Sequence, residues 1–323
     1  MILGQSAGPI GLDSWDGGIH AIDSRYVRPG LMASHLLVRS GEAAFVDVGS
    51  NDSVPHLLQA LDALGIGAEA VRFLFLTHVH LDHAGGAGRL VRELPDMEVL
   101  VHPRGLRHMI DPTKLEAGTR EVYGDALFTQ LYGRIIPIPE TRIRSVADGE
   151  VIALGGSEIE IWHTEGHARH HFCLWDRLSS SVFAGDNFGI AYRALQTRRG
   201  RFIFPTTTPT QFDPVKAVQS VDRIMRVQPR RIFIAHYSAL EDALDELART
   251  LQAELARYVA IGQEWIDAPN RRAAIHEALR RHTAGRLVEH GVTDPERVLE
   301  DLLQMDLQLN AAGVDDWLAN PPR

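Results

Sequence analysis

Cysteine is nearly absent from this chain of 323 residues, in which Cys173 is the sole example. A single thiol cannot build a disulfide framework or a cysteine-rich metal cluster, so a hydrophobic core has to hold the fold together. The scarcity of cysteine is also typical of proteins in a reducing compartment, and we therefore expect a cytoplasmic protein.

Long apolar runs and an excess of basic residues are also missing. No apolar stretch approaches the roughly 18 residues of a membrane-spanning helix, and the start MILGQSAGPIGLDSWDGG lacks the basic and apolar regions of a secretory signal. The 42 acidic residues outnumber the 33 basic ones, for a formal net charge of −9. This charge argues against binding to nucleic acid or to a membrane surface, and we expect a small-molecule substrate instead.

Short apolar runs of strand length recur over the first 240 residues and alternate with helical patterns. The predicted strands cover residues 36–38, 44–48, 71–76, 99–101, 159–162, 172–175, 181–184 and 231–235. Apolar residues spaced three and four apart predict helices at Val54–Leu64 and Pro214–Val227. Two groups of strands with helices between them indicate an α/β (α+β) fold, in which two stacked sheets are covered by helices.

The pattern becomes entirely helical after about residue 240. Helices are predicted at Leu240–Trp265, Arg271–His290 and Glu296–Leu309, with a break at Pro269 and a start signal at Thr293–Pro295. We therefore predict two domains, a sandwich domain over residues 1–240 and a helical C-terminal domain over residues 241–323. The helical domain offers a surface for a homodimer.

The 16 histidines are unevenly distributed, and the densest group follows the apolar strand Val71–Leu76. The motif there is His78-x-His80-x-Asp82-His83, with two glycines after it. Because side chains alternate along extended backbone, His78 and His80 can face the same ion. A turn of the chain then lets Asp82 and His83 face a second ion. Imidazole and carboxylate suit Zn²⁺, iron or Mn²⁺, and not soft Cu(I).

The segment THVHLDHAGG resembles the first metal motif of the metallo-beta-lactamase superfamily, in its glyoxalase II-like branch. The resemblance implies a four-layer αββα sandwich over about residues 20–240, with the helical C-terminal residues as an appendage. It also implies three later ligands: a histidine in a Gly-His turn, an aspartate after a strand and a late histidine after another strand. The matching residues occur in that order as His167, Asp186 and His236.

By this resemblance the chain binds two divalent metal ions. His78, His80 and His167 would hold one ion, Asp82, His83 and His236 would hold the other, and Asp186 would bridge them. Zinc is the preferred ion, and iron and manganese are the alternatives because the ligand types suit all three.

Five further residues are candidates for supporting roles. Asp47 resembles the family's aspartate beside the metal ligands, with a simple turn as the alternative. His171 would orient a ligand or pack beneath the site. Tyr192 and Tyr237 would donate to the oxyanion or the leaving group, with structural roles equally open. Arg193 would bind an anionic group of the substrate, with a solvated loop as the alternative.

The implied chemistry is hydrolysis of an ester-like bond, which includes thioesters, lactones and related carboxylic esters. Two cations roughly 3.5–4 Å apart would hold a bridging hydroxide at neutral pH. Asp82 is the predicted catalytic residue, because its carboxylate would orient that hydroxide. The turn Thr164–Ala168 departs from the glyoxalase II pattern, so no particular thioester is predicted.

Two other functions stay open at this point. A non-haem iron oxidoreductase of the persulfide dioxygenase type would hold one iron through His78, His167 and Asp186. A catalytically idle protein would instead act as an interaction partner through its C-terminal helices.

Overall fold

A computed structural model describes residues 11–321 of the chain. Residues 1–10, part of the segment in which no secretory signal is predicted, lie outside the described residues. No helix in the range 11–321 combines the length and apolar character needed to cross a lipid bilayer. The chain divides into two compact units, each made of several segments.

The first unit contains both β-sheets and comprises Met1–His163, His170–Gly185 and Pro229–Glu241. Within the described residues, the seven strands of the first sheet are β1 Leu12–Trp15, β2 Ile19–Asp23, β3 Ala33–Arg39, β4 Glu42–Val46, β5 Val71–Leu76, β6 Glu98–Val101 and β7 Ile143–Ser145, adjacent in this order. The six strands of the second sheet are β8 Val151–Leu154, β9 Ser157–His163, β10 Phe172–Asp176, β11 Ser181–Gly185, β12 Arg231–Ile234 and β13 Ser238–Leu240, also in chain order across the sheet.

The pairing of neighbouring strands changes once within the first sheet, from antiparallel to parallel. Strands β1 to β4 pair antiparallel, whereas β4, β5, β6 and β7 run parallel. In the second sheet the pair β11–β12 is parallel and the remaining pairs are antiparallel. The parallel strands β4, β5 and β6 are mostly buried and have nearly continuous apolar sequences such as β5, VRFLFL.

Alternate residues of the inner strands enter two separate cores. On β4, Ala43 and Phe45 join the core beneath the helices, whereas Ala44 and Val46 join the core between the sheets. On β5, Phe75 is buried between the sheets, and Phe73 packs against the same core. This period of two is the geometry of extended backbone, and it builds the two-sheet sandwich that the sequence predicted.

The helices of the first unit are α1 Val54–Leu64, α2 Leu81–Ala84, α3 Ala87–Glu93, α4 Pro103–Ile110, α5 Thr113–Tyr123 and α6 Asp125–Tyr132. The bounds of α1 match its prediction. The prediction missed strands β1, β2, β7, β8 and β13. These strands have only three to five residues each, too few for a periodic pattern to stand out.

The second unit comprises Thr164–Arg169, Asp186–Gln228 and Asp242–Arg323. Its helices are α7 Pro214–Met225, α8 Leu244–Glu264, α9 Arg271–Glu289, α10 Pro295–Asp301 and α11 Gln304–Ala319. The C-terminal helices pack through buried residues such as Leu255, Leu279 and Leu307. The assignment of residues 241–323 to a separate domain stays a prediction.

The prediction of one continuous helix over Glu296–Leu309 is wrong, because the chain forms α10 and α11 there instead. The amide N–H groups of Leu302 and Leu303 both donate to the Val298 carbonyl, which ends the first helix. Leu299 and Leu303 lie on either side of this break, and both are buried, at 2% and 1% exposure.

Candidate metal centre

The first group of candidate ligands lies where strand β5 gives way to helix α2. Residues 77–80 continue from the strand without regular structure, and His80 is the N-cap of α2. Asp82 and His83 therefore lie in the first turn of a short helix. The backbone N–H groups of Val48 and Gly49 donate to the His83 carbonyl at 2.8 and 3.2 Å, which holds this turn against the end of β4.

Asp47 is buried beside this turn and contacts two of its residues. Its Oδ1 accepts a hydrogen bond from the Thr77 backbone N–H at 2.8 Å, and its Oδ2 accepts one from the Thr77 hydroxyl at 2.8 Å. The Nδ1 of His83 lies 2.9 Å from the same Oδ2. A carboxylate can only accept, so Nδ1 carries the proton and the Nε2 of His83 keeps its lone pair for a metal.

The same reasoning orients His78. Since the single hydroxyl proton of Thr77 goes to Asp47, its oxygen accepts from the Nδ1–H of His78 at 3.1 Å. The Nε2 of His78 therefore carries the lone pair of the ring, and this atom lies 3.0 Å from the Nδ1 of His80. Two ring nitrogens this close can act as ligands of one ion.

Asp82, His83 and His236 form a second group of ligand atoms within the first unit. The Asp82 Oδ2 lies 3.5 Å from the Nε2 of His83 and 3.4 Å from the Nε2 of His236. The Nδ1–H of His236 donates to the Leu31 carbonyl at 2.8 Å, which leaves its Nε2 as the acceptor. Ligand atoms about 2.0–2.1 Å from a tetrahedral zinc ion stand about 3.3 Å apart, so this group fits a metal ion.

The second unit holds a further pair, His167 and Asp186. The Nε2 of His167 lies 3.5 Å from the Asp186 Oδ2, which is also the spacing of two ligands on one ion. The Thr206 hydroxyl donates to the Asp186 carbonyl at 3.1 Å and accepts from the His167 Nδ1 at 2.8 Å. The Asn187 side chain accepts from the His167 backbone N–H at 3.1 Å and donates to the Thr164 carbonyl at 2.7 Å.

His171 is buried next to the ligands of the first unit. Its ring centre lies 5.1 Å from that of His78, and a Cβ at Gly185 would approach its Nε2 to 2.5 Å. Neighbouring His170 contacts the same motif, because its Nδ1 accepts from the Val79 N–H at 3.4 Å. The ligand-orienting role of His171 stays a prediction.

Two buried tyrosines lie close to the Asp82 turn. The hydroxyls of Tyr26 and Tyr132 are 2.7 Å apart, and both rings pack with Leu81 and Ala235, the neighbours of Asp82 and His236. Burial raises the pKa of both phenols well above the ordinary value, and the negative charge of Asp82 raises it further. Both tyrosines are therefore protonated, neutral groups at physiological pH.

The predicted substrate residues have varied surroundings. Tyr192 is buried, and its hydroxyl donates to the Asp306 carboxylate at 3.0 Å. Arg193 lies in a short 3₁₀ turn and is half-buried, and Tyr237 is buried directly after His236. Their roles toward a substrate stay predictions.

Sequence reasoning missed Thr206, Asn187 and the Leu31 carbonyl as groups that orient ligands. A single threonine or asparagine in a loop has no distinctive spacing, and a backbone carbonyl has no sequence signal at all. Their positions become evident only from hydrogen-bond geometry.

A family model described as the metallo-beta-lactamase superfamily matches residues 28–236. The metallo-beta-lactamase fold-containing protein ST1585 of Sulfurisphaera tokodaii is 25% identical over 224 residues, which cover 68% of this chain and 78% of that protein. The crystal structure of ST1585 superposes with a TM-score of 0.63 at 20% identity, covering 92% of this chain and 98% of that one. This likeness confirms the predicted αββα fold with additional C-terminal helices.

Proteins named acyl-coenzyme A thioesterase MBLAC2 are also similar. The Gallus gallus protein is 32% identical over 180 residues, covering 52% of this chain and 62% of that protein. The Homo sapiens protein is 30% identical over 183 residues, covering 52% and 63%. The match thus spans less than two thirds of the length of these relatives.

Proposed function

Because this chain belongs to the metallo-beta-lactamase superfamily, whose model matches residues 28–236, we propose that it is a dinuclear metal-dependent hydrolase of thioesters. Membership of this family confirms the prediction of an enzyme of the metallo-hydrolase type. The number of ions, the metal and the substrate are what we propose beyond that.

The grouping of Asp82, His83 and His236 carries the proposal. The second nitrogen of each histidine donates to an acceptor, the Asp47 carboxylate for His83 and the Leu31 carbonyl for His236. Both Nε2 atoms consequently carry lone pairs. They lie 3.5 Å (His83) and 3.4 Å (His236) from the Asp82 Oδ2. Histidines oriented by such hydrogen bonds are typical of metal-binding sites in proteins.

We assign the seven ligands as the motif suggests. One ion would be held by His78, His80 and His167, and the other by Asp82, His83 and His236, with Asp186 shared, and zinc is the preferred ion. When bound, two divalent cations supply Lewis acidity, which lowers the pKa of water from about 15.7 toward neutrality and stabilises negative charge on a carbonyl oxygen.

Asp82 is the group that we assign to orient the attacking water. Its side chain is 21% exposed, whereas those of His83 and His236 are 0% and 7% exposed. A carboxylate that reaches solvent can accept a hydrogen bond from water and hold its oxygen toward the carbonyl carbon. Attack then breaks the carbon–sulfur bond, and the products are a carboxylate and a thiol.

The thioester class is proposed from the relatives named acyl-coenzyme A thioesterase. Acyl-coenzyme A is the leading candidate substrate, and lactones and simple carboxylic esters are the next classes to test. Arg193 remains our candidate for contact with an anionic group of the substrate.

A substrate panel tests this function. The purified chain is loaded with Zn²⁺, Fe²⁺ or Mn²⁺ and offered acyl-coenzyme A, a small-thiol thioester, a lactone and a phosphodiester. Thiol release, followed with a chromogenic thiol reagent, should depend on the metal and should stop after chelation. Asp82→Ala should lower kcat by about 10² or more.

The matched control is Asp52→Ala, since Asp52 is an exposed carboxylate in the short 3₁₀ helix Asn51–Ser53. Its turnover should equal that of the unmodified chain. Absence of turnover with every ester and thioester under all three metals would reject the hydrolase, and so would full activity of Asp82→Ala.

The alternative of a mononuclear iron oxidoreductase needs only His78, His167 and Asp186. The close group of Asp82, His83 and His236 has no ligand role in that enzyme, which favours the dinuclear hydrolase. Oxygen uptake with a persulfide, measured in the same preparations, distinguishes the two reactions. Rapid uptake without thioester cleavage would support the oxidoreductase.

A further inference from the structure

We propose that helix α11 positions the metal ligands His167 and Asp186, and that Asn310 is the residue through which it does so. The inference rests on the proposed function, because it takes these two residues as metal ligands. Asn310 would act through the segment Pro205–Thr207 and is a positioning residue without contact to the substrate.

Thr206 is the last link between this segment and the ligands. Its hydroxyl gives its single proton to the Asp186 carbonyl at 3.1 Å, so its oxygen accepts from the Nδ1–H of His167 at 2.8 Å. The Thr206 hydroxyl oxygen, together with the Thr206 carbonyl 3.5 Å from the same Nδ1, thus selects the tautomer in which the His167 Nε2 faces the Asp186 carboxylate. A displacement of Thr206 would release both contacts together.

Asn310 holds the residues on both sides of Thr206. Its Oδ1 accepts from the Thr207 N–H at 2.6 Å, and its Nδ2 donates to the Pro205 carbonyl at 3.1 Å. Its backbone carbonyl accepts from the Thr207 hydroxyl at 2.9 Å. Asn310 is 2% exposed, and the residues after it, Ala311 and Ala312, are also buried. A buried amide has to find such partners, so its contacts fix the segment in place.

Two other residues on the same face of α11 contact the chain between Asp186 and Thr207. Asp306, one turn before Asn310, accepts from the Tyr192 hydroxyl at 3.0 Å. Gly313, one turn after it, lies so close to the loop that a Cβ there would fall 1.3 Å from the Thr207 carbonyl oxygen. Positions 306, 310 and 313 line one side of a helix. This stripe of α11 therefore contacts residues 192, 205 and 207 over about two turns of the helix.

Metal affinity is the direct measure of such positioning. Co²⁺ is titrated into the metal-free full chain in competition with a chromophoric chelator, and the d–d absorption of the bound ion is recorded. Asn310→Ala should weaken binding of one ion by about tenfold or more, as loss of an orienting contact does. Its spectrum should also change, because the His167 imidazole would reorient.

Gln308→Ala is the matched control. Gln308 is an exposed amide on the same helix, two residues away. This variant removes an amide from α11 without touching the loop, so its Co²⁺ affinity and spectrum should stay those of the unmodified chain, within about twofold.

A double-mutant cycle tests whether Asn310 acts through Thr206. Thr206→Val deletes the hydroxyl at nearly constant shape and should weaken Co²⁺ binding, whereas Thr206→Ser keeps the hydroxyl and should restore it. In the Thr206→Val background, the further change Asn310→Ala should cost less than it does in the unmodified chain, since only the longer contact of the Thr206 carbonyl with the His167 Nδ1 is left to lose. Equal losses in both backgrounds would overturn the proposal, and so would unchanged affinity of Asn310→Ala.

If Asn310→Ala does not fold, Asn310→Asp keeps an acceptor for the Thr207 N–H while losing the donor to Pro205, and the same cycle applies. The outcome is separable from that of the proposed function. Strong Co²⁺ binding that depends on Asn310, without thioester cleavage, would reject the hydrolase and keep this inference. Thioester cleavage with unaltered affinity in Asn310→Ala would do the reverse.

Discussion

The Asp47 carboxylate contacts two candidate ligands, one directly and one through a hydroxyl. It accepts from the Nδ1 of His83 at 2.9 Å and from the Thr77 hydroxyl at 2.8 Å, and Thr77 in turn contacts His78. Asp47 reaches this position with a φ of 58°, in the left-handed region where non-glycine residues are uncommon. Local backbone strain at this point is consistent with a functional constraint.

Asp47→Asn should therefore weaken metal binding. The amide keeps the shape of the side chain, but its N–H₂ group faces either the Thr77 backbone N–H or both the Thr77 hydroxyl and the His83 Nδ1. In each case a donor meets a donor, and the contacts that orient His78 and His83 are weakened. We expect an affinity loss of about 10- to 100-fold, measured by competition with a chromophoric chelator. Asp52→Asn, on an exposed neighbouring residue, should bind metal normally, and equal affinities for both variants would contradict the role of Asp47.

The phenol pair Tyr26–Tyr132 gives a prediction about stability. Tyr132→Phe leaves the Tyr26 hydroxyl buried without the partner that lies 2.7 Å away, which should lower the free energy of unfolding by about 1–3 kcal/mol. Changing both tyrosines to phenylalanine should cost less than the sum of the single changes, because no unsatisfied hydroxyl remains. Urea unfolding of the four proteins measures this, and strictly additive losses would show that the two hydroxyls do not interact.

At the scale of elements, the candidate ligands follow the ends of strands. His78 comes after β5, Asp186 after β11 and His236 after β12. A strand can carry a polar group at its end because the side chain leaves the apolar layer there. The end of β11 also needs glycine: Gly185 has a φ of 49°, and a Cβ on it would approach the Thr77 Oγ1 to 2.8 Å.

Gly185→Ala should therefore affect metal binding as well as stability. The added methyl group would displace Thr77 and His171, so we expect weaker metal affinity together with a lower melting temperature. Gly156→Ala is the matched control, because Gly156 also has a positive φ, 81°, but has no atom within 4 Å of the added Cβ. The control should show only the backbone cost of about 1–2 kcal/mol. Normal metal affinity in Gly185→Ala would show that the contact is unimportant.

At the scale of the whole molecule, ions that bind only the folded chain should stabilise it. Chelation should lower the melting temperature, and added Zn²⁺ should raise it. At a free Zn²⁺ concentration of 100 times Kd, each bound ion adds about 2.7 kcal/mol to the free energy of unfolding. Mg²⁺ should have little effect, because it prefers oxygen ligands in octahedral geometry. Scanning calorimetry measures both, and a melting temperature insensitive to Zn²⁺ would contradict the metal centre.

Several whole-molecule properties stay predictions. The excess of 42 acidic over 33 basic residues led us to expect no nucleic-acid partner, and the single cysteine led us to expect a cytoplasmic location. A homodimer through the C-terminal helices is likewise a prediction. The contacts of α11 with Pro205 and Thr207 show that part of this helix packs within its own unit.

The class of fold and the metal chemistry could both be predicted without a structure. Apolar strands of period two have to be buried on a sheet, and the motif from His78 to His83 has little use other than binding metal. Both signals are local, so they are readable without a structure. The break between α10 and α11 at Leu302 was not predicted, since residues 296–309 contain no glycine or proline to mark it.

Tertiary structure decided how the ligands are held. Asp47 meets His83 across 36 positions of sequence, and Asn310 meets Thr207 across 103. Hydrogen bonds between residues so far apart leave no periodic trace in the chain, because each depends on the path of every element between them. The proton positions on the histidines follow from these contacts, and so does the direction of each metal-binding lone pair.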